Sequence, residues 1–148
     1  MRNEVYWNLH KHLYSMRALE GPDRGRVVAH EAFFRLTNVK FAVQPAGRAK
    51  VLRDKAKNVH AFVRGTPATD RSESGLTNGR APERVLANGP TLQAMFDVTE
   101  WQRVTYNPYK YSTFVNASTG EPIHSAREVV GLSWEVDGRI TPKMWARV

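Results

Sequence analysis

Near its end the chain reads Arg127-Glu128-Val129-Val130-Gly131-Leu132-Ser133-Trp134-Glu135-Val136-Asp137-Gly138-Arg139-Ile140. The first ten residues are rich in Val and also contain Leu and Trp, a composition typical of a β-strand. Asp-Gly is a favoured dipeptide for a two-residue hairpin turn, after which Arg139 and Ile140 begin a returning strand. The stretch therefore predicts an antiparallel hairpin.

Strand-like runs also fill the first 43 residues of the chain. Turn residues separate these runs at positions 21–25 and 37–38. An antiparallel meander is the simplest arrangement for them. The runs are Val5 to Trp7, His12 to Met16, Arg26 to Ala29, Ala32 to Leu36 and Val39 to Val43.

A short passage of the sequence occurs twice, as Val5-Tyr6-Trp7-Asn8-Leu9-His10-Lys11 and as Val104-Thr105-Tyr106-Asn107-Pro108-Tyr109-Lys110. Asn followed by Pro is a good signature of a type I β-turn, so the second copy should form a hairpin tip, and by analogy so should the first. The repeat predicts that residues 5–36 and 104–132 are similar strand-turn-strand units.

One helix is predicted at about residues 46–57. Pro45 suits a first helical turn, and Ala46, Ala49, Leu52 and Ala56 recur at helical spacing as a stripe that could lie on a sheet. The predicted class is therefore α+β, a mainly antiparallel sheet with two related hairpin units and one basic amphipathic helix. We expect a single domain over residues 1–148. A flexible connection at about residues 66–90 serves in it either as a flap or as a plain linker.

Composition narrows the classes of function. The chain has 148 residues and no cysteine, which excludes disulfides and thiolate nucleophiles, and it has no apolar run long enough for a membrane helix. We therefore expect a cytoplasmic protein. The net charge is +8, and the excess lies in the first 72 residues, which contain 14 Lys and Arg against 6 Asp and Glu. This asymmetry favours nucleic acid or an acidic protein as the partner.

The basic residues and aromatic rings define a candidate nucleic-acid surface. Cations on the predicted helix would contact phosphates, and rings near the hairpin tips would stack on bases. The alternative is that the cations simply form the solvent-exposed face of a surface helix, while the rings pack across neighbouring strands. The predicted binding residues are Arg48, Lys50, Arg53, Lys55, Lys57, Arg64, Tyr6, His10, Tyr14 and Tyr109.

Histidine supplies the obvious acid-base candidates. A metal-independent nuclease would need a base, an acid and a cation, which His10 or His12, His60, Lys11 and Arg64 could supply. The spacing of these residues does not require such a site. Neither a metal nor a cofactor is predicted, because the sequence has no histidine–carboxylate ligand motif and no glycine-rich nucleotide motif.

Two segments, Val5 to Ser15 and Lys57 to Gly65, resemble passages of small uncharacterised proteins encoded by tailed bacteriophages. The resemblance implies expression in a bacterial host cell, where small basic phage proteins bind nucleic acid or disable host machinery. It assigns no activity and no functional residue. The leading hypothesis is a non-enzymatic nucleic-acid-binding accessory protein. Its alternatives are an inhibitor or assembly factor that docks an acidic host protein, and the metal-independent nuclease.

Overall fold

The computed structural model describes residues 2–67 and 101–148 of the chain. This part contains nine strands and one α-helix. The elements are β1 (Asn3–Asn8), β2 (Leu13–Ala18), β3 (Val27–Glu31), β4 (Phe33–Val43), α1 (Pro45–Asp54), β5 (Ala61–Pro67), β6 (Trp101–Thr105), β7 (Val115–Asn116), β8 (Ser125–Val136) and β9 (Arg139–Arg147).

All nine strands belong to one sheet, in the order β3-β2-β1-β5-β4-β8-β9-β6-β7, and neighbouring strands are antiparallel. The prediction of a mainly antiparallel sheet with one helix is confirmed. The hairpin of β8 and β9 forms as expected, from Glu128 opposite Arg147 to Val136 opposite Arg139. Asp137 and Gly138 have φ angles of 53° and 75°, the positive pair that a type I′ turn requires.

The first half is not a simple meander, because β5 pairs between β1 and β4. Strand β3 passes into β4 through Ala32 alone, which leaves no room for the two strands to turn back on each other. The Ala32 carbonyl instead accepts a hydrogen bond from the Ser133 amide, so the chain makes a corner beside the end of β8. As a result, β3 lies at the edge of the sheet, with Val27 and Val28 exposed.

The sheet folds around one main core. Tyr14 of β2 packs edge-on against Phe34 of β4, with ring centroids 4.7 Å apart. The Tyr14 hydroxyl donates to the carbonyl oxygen of Lys143 at 3.1 Å, and the carbonyl oxygen of Leu132 lies 3.4 Å from it. Strand β2 therefore lies across the hairpin of β8 and β9, although the two are far apart in the order of the sheet.

Helix α1 ends earlier than predicted and packs through a different face. Lys55 adopts a left-handed conformation and its amide donates to the Val51 carbonyl, which ends the helix at Asp54. The predicted alanine stripe is wrong, because Ala46, Ala49 and Ala56 are exposed, while Val51 is buried. A Cβ atom on Gly47 would lie 2.5 Å from the Cβ of His60, so this glycine permits a close approach to β5.

The two related hairpin units are not supported by the strand pairing. Strands β1 and β2 pair along their whole length, from Asn3 opposite Ala18 to Asn8 opposite Leu13. Strands β6 and β7 pair only where Val104 faces Asn116 and Thr105 faces Val115. What the two copies share is local, since the side-chain oxygens of Asn8 and Asn107 each accept hydrogen bonds from amides that follow in the chain.

The predicted connection at residues 66–90 begins inside β5, which continues to Pro67. The rest of that prediction, residues 68–90, lies outside the described residues.

Candidate nucleic-acid interface

Arg48 joins helix α1 to the turn at residues 107–111. Its Nε donates to the carbonyl oxygens of Pro108 at 3.1 Å and Tyr111 at 3.0 Å. The turn itself is closed by Asn107, whose backbone carbonyl accepts from the Lys110 and Tyr111 amides at 3.0 and 2.8 Å. Arg48 is half-buried, so its main contacts position the turn.

The same arrangement brings an aromatic ring under a lysine. The Nζ of Lys55 lies 5.5 Å from the ring centroid of Tyr109, a residue that is 57% exposed. A cation over an exposed ring contributes about 0.5–1 kcal/mol. The predicted basic helix and the predicted second hairpin tip therefore meet in one place. We call this the helix–turn surface, and it consists of Lys50, Arg53, Lys55, Lys57, Tyr109 and Lys110.

The helix–turn surface is strongly positive. At 100° per residue, Arg53 lies on the face of α1 opposite the packed residues Gly47 and Val51, while Lys50 lies beside that packed face, and both cations are exposed. Lys55, Lys57 and Lys110 are also exposed. Asp54 is the one acidic residue between positions 44 and 60. It pairs with Arg53 at 3.0 Å, but both side chains are solvated, and such pairs contribute little.

His60 holds the start of β5 against the residue that follows β6. Its Nδ1 lies 2.8 Å from the Asn58 carbonyl, which can only accept, so Nδ1 carries the proton. Nε2 therefore accepts from the Tyr106 hydroxyl at 2.6 Å. Burial raises the pKa of Tyr106, and the positive charge of Arg48 opposes that increase. Both ring nitrogens of His60 are thus engaged within the fold.

The other candidate catalytic residues lie elsewhere. His10 and Lys11 are exposed on the turn after β1, and His12 there has a φ of 55°. The His12 carbonyl accepts from Ser133 Oγ at 2.9 Å, which fixes this turn beside the end of β8. In the described ranges no hydrogen bond joins His60 to this turn.

Arg64 and Tyr6 lie on the outer face of the sheet, around a buried carboxylate. Glu4 is 2% exposed and accepts from Arg17 Nε and Arg64 Nε, each at 2.9 Å. Both guanidinium groups also lie over the ring of Phe62, at 5.5 and 5.8 Å. Tyr6 packs edge-on against the same ring at 6.1 Å. This group is a second positive region, because two arginines share one carboxylate.

Tyr14 is a core residue. It is 2% exposed, and burial raises the pKa of its hydroxyl well above the usual value. The ring packs edge-on against Trp7 and Phe34 in the interior, so the structure does not support Tyr14 as a stacking residue on the protein surface.

Comparison with known proteins gives the family of the chain. The family model described as the Mycobacterium phage L5 gene 82 protein matches residues 1–135. The chain belongs to this family. It is 33% identical over 131 residues to the gene 82 protein of Mycobacterium phage L5, which covers 84% of this chain and 85% of that protein. No solved structure matches the chain. The predicted resemblance to tailed-phage proteins is thereby confirmed.

In this member of the gene 82 family, several contacts of the site could not be predicted from the sequence. Arg48 was expected to contact phosphates, yet it binds two carbonyl groups about 60 residues further along the chain. Tyr106 was not singled out, although it fixes His60. The Asn-Pro signature did predict the turn that contains Tyr109 and Lys110, but it gave no indication that this turn contacts α1.

Residues 2–67 and 101–148 lack two kinds of feature. No group of three or more His, Cys, Asp or Glu side chains there could hold a metal ion. The helix in those ranges, α1, is not long and apolar enough to span a membrane.

Proposed function

We propose that this phage protein binds nucleic acid through the helix–turn surface, without turnover. The observation that carries the proposal is the meeting of Lys55 with the exposed ring of Tyr109, at 5.5 Å, amid four further exposed cations. Lysine and arginine side chains contact phosphates of any sequence and release their counterions, while an exposed ring stacks on any base. The combination suits binding that is largely independent of sequence.

The proposal includes no catalytic step. His60 has both ring nitrogens engaged with Asn58 and Tyr106, and His10 and His12 lie on a separate exposed turn. A general base and a general acid must reach the same substrate, which this placement does not favour. Arg48 is assigned a positioning role, and Arg64 belongs to the separate group around Glu4.

The test is fluorescence anisotropy of labelled single- and double-stranded DNA and RNA of equal length, titrated with protein at several salt concentrations. The test variant is Lys50→Glu/Arg53→Glu/Lys57→Glu. The matched control is Arg24→Glu/Arg26→Glu/Arg139→Glu, which reverses three exposed arginines elsewhere and so changes the net charge equally. Binding that weakens steeply with salt, is lost in the test variant and persists in the control supports the proposal.

Other results contradict it. Equal loss of binding in both variants would mean that net charge alone attracts the oligonucleotide. No binding by the wild type even at low salt would remove nucleic acid as the partner. A stoichiometric complex with an acidic host protein, lost in the same test variant, would then identify docking to that protein as the function of the helix–turn surface.

A further inference from the structure

An apolar cavity of about 130 Å³ opens between strands β1 and β5 on one side and β6 and β9 on the other. Its inner wall is made of buried side chains, among them Val5, Val104 and Phe114. Its rim includes Trp7 and Tyr106, which are half-buried, and Pro142, which is exposed. The cavity is therefore reached from the side on which these three rim residues lie.

The side chains that line the cavity present mainly aromatic rings and alkyl groups, and few free polar groups. Three tyrosines line the cavity, Tyr6, Tyr14 and Tyr106, and the hydroxyls of Tyr14 and Tyr106 already donate to Lys143 and to His60. Tyr6 and Thr105 supply the other side-chain hydroxyls of the lining. A dry cavity of about 150 Å³ with such a lining holds one benzene molecule. The cavity here, at about 130 Å³, is slightly smaller, so it has room for at most one six-membered ring with an apolar face.

The mouth of the cavity adjoins the helix–turn surface. Tyr106 at the rim is three residues before Tyr109, and three residues of chain span at most about 10 Å. Ala61, which also lines the cavity, is four residues after Lys57. A nucleic acid bound by the lysines of the helix–turn surface would pass close to the rim, and its bases could reach the opening.

We propose that the cavity takes a single pyrimidine base, unstacked from a single-stranded nucleic acid whose phosphates lie on the helix–turn surface. The inference rests on the proposed function and adds the class of strand and of base. A base pair in a duplex cannot enter, and the two fused rings of a purine exceed the space for one ring. Few free polar groups are present, so cytosine, thymine and uracil enter by stacking and shape rather than by a hydrogen-bond code.

The test compares anisotropy titrations of oligo-dT and oligo-dA of equal length with wild-type protein and with Ala61→Leu, which fills the cavity. The matched control is Ala42→Leu. Ala42 faces Phe62 across β4 and β5 and does not line the cavity, so the same side chain is added on the other face of the sheet. Circular dichroism and thermal unfolding of each variant verify the fold.

We expect the wild type to bind oligo-dT at least about fivefold more tightly than oligo-dA. Fivefold corresponds to about 1 kcal/mol, the lower end of the stacking energy of one base. Ala61→Leu should remove that preference, whereas Ala42→Leu should keep it. A strand that carries a fluorescent pyrimidine should also be quenched when it binds the wild type. This last measurement needs no variant, so it remains decisive if Ala61→Leu fails to fold.

Equal binding of oligo-dT and oligo-dA, with no quenching and no effect of Ala61→Leu, would overturn the inference. If the charge reversal on α1 still abolished binding, the proposed function would stand without the base site. If no oligonucleotide bound at all, both would fall. Selective binding of a free aromatic molecule by the wild type, with no base preference, would make the cavity a small-molecule site and overturn the inference as well.

Discussion

The salt dependence of binding gives a quantitative test of the helix–turn surface. Its exposed cations are Lys50, Arg53, Lys55, Lys57 and Lys110. If each neutralises one phosphate of a single strand, the logarithm of the affinity should fall with the logarithm of the salt concentration with a slope of about −3.5. Between 50 and 200 mM salt the affinity should then decrease about 130-fold.

The perturbation is Lys50→Gln/Arg53→Gln/Lys57→Gln, which removes three of these charges and keeps side chains of similar polarity. The expected slope is about −1.4, and the decrease over the same range of salt becomes about sevenfold. Arg48 is not counted, because its Nε already binds two carbonyl groups. Anisotropy titrations at five or more salt concentrations measure the slope for both proteins. A slope that stays near the wild-type value would refute this assignment of the phosphate contacts.

Three further predictions concern single side chains. Tyr109→Ala should weaken binding of a single strand by about 1–3 kcal/mol while Tyr109→Phe should not, as measured by anisotropy. Gly131→Ala should destabilise the fold by about 1–3 kcal/mol in urea denaturation, because a Cβ there would lie 2.2 Å from the Phe34 ring, and unchanged stability would contradict this packing. Tyr14→Phe should cost about 1–3 kcal/mol, since the half-buried Lys143 carbonyl loses its donor. Because burial raises the pKa of Tyr14, the stability that it contributes is present below about pH 10 and lost above it. Denaturation of Tyr14→Phe should therefore depend less on pH above about 10 than denaturation of the wild type.

Features encoded by neighbouring residues were the ones that the sequence could predict. Asp137-Gly138 sets its own backbone geometry, so the hairpin of β8 and β9 was evident. Asn8 and Asn107 likewise close their own turns through side-chain oxygens. The same local chemistry explains why the supposed repeat was misleading. An asparagine turn recurs in many contexts and does not determine how far the flanking strands pair.

Features that depend on distant partners were missed. The face of α1 that packs is set by the close approach of Gly47 to His60, and alanine spacing alone cannot indicate that contact. The position of β5 between β1 and β4 similarly depends on the register of three strands. In the candidate site, the basic residues were apparent as a charged segment. Their meeting with Tyr109 was not, because the turn lies more than 50 residues further along the chain.

Arg48 shows why counting charges could not define the interface. Guanidinium and ammonium groups carry the same charge, but only a guanidinium has an N–H in the Nε position, and here that group binds the carbonyls of Pro108 and Tyr111. This contact orders the turn against α1 and holds Tyr109 beside Lys55. A ring that is already fixed next to a cation loses little conformational freedom when a base stacks on it, so more of the stacking energy appears as affinity. Arg48 therefore contributes to binding by positioning the turn, and the neighbouring cations contribute through their charge.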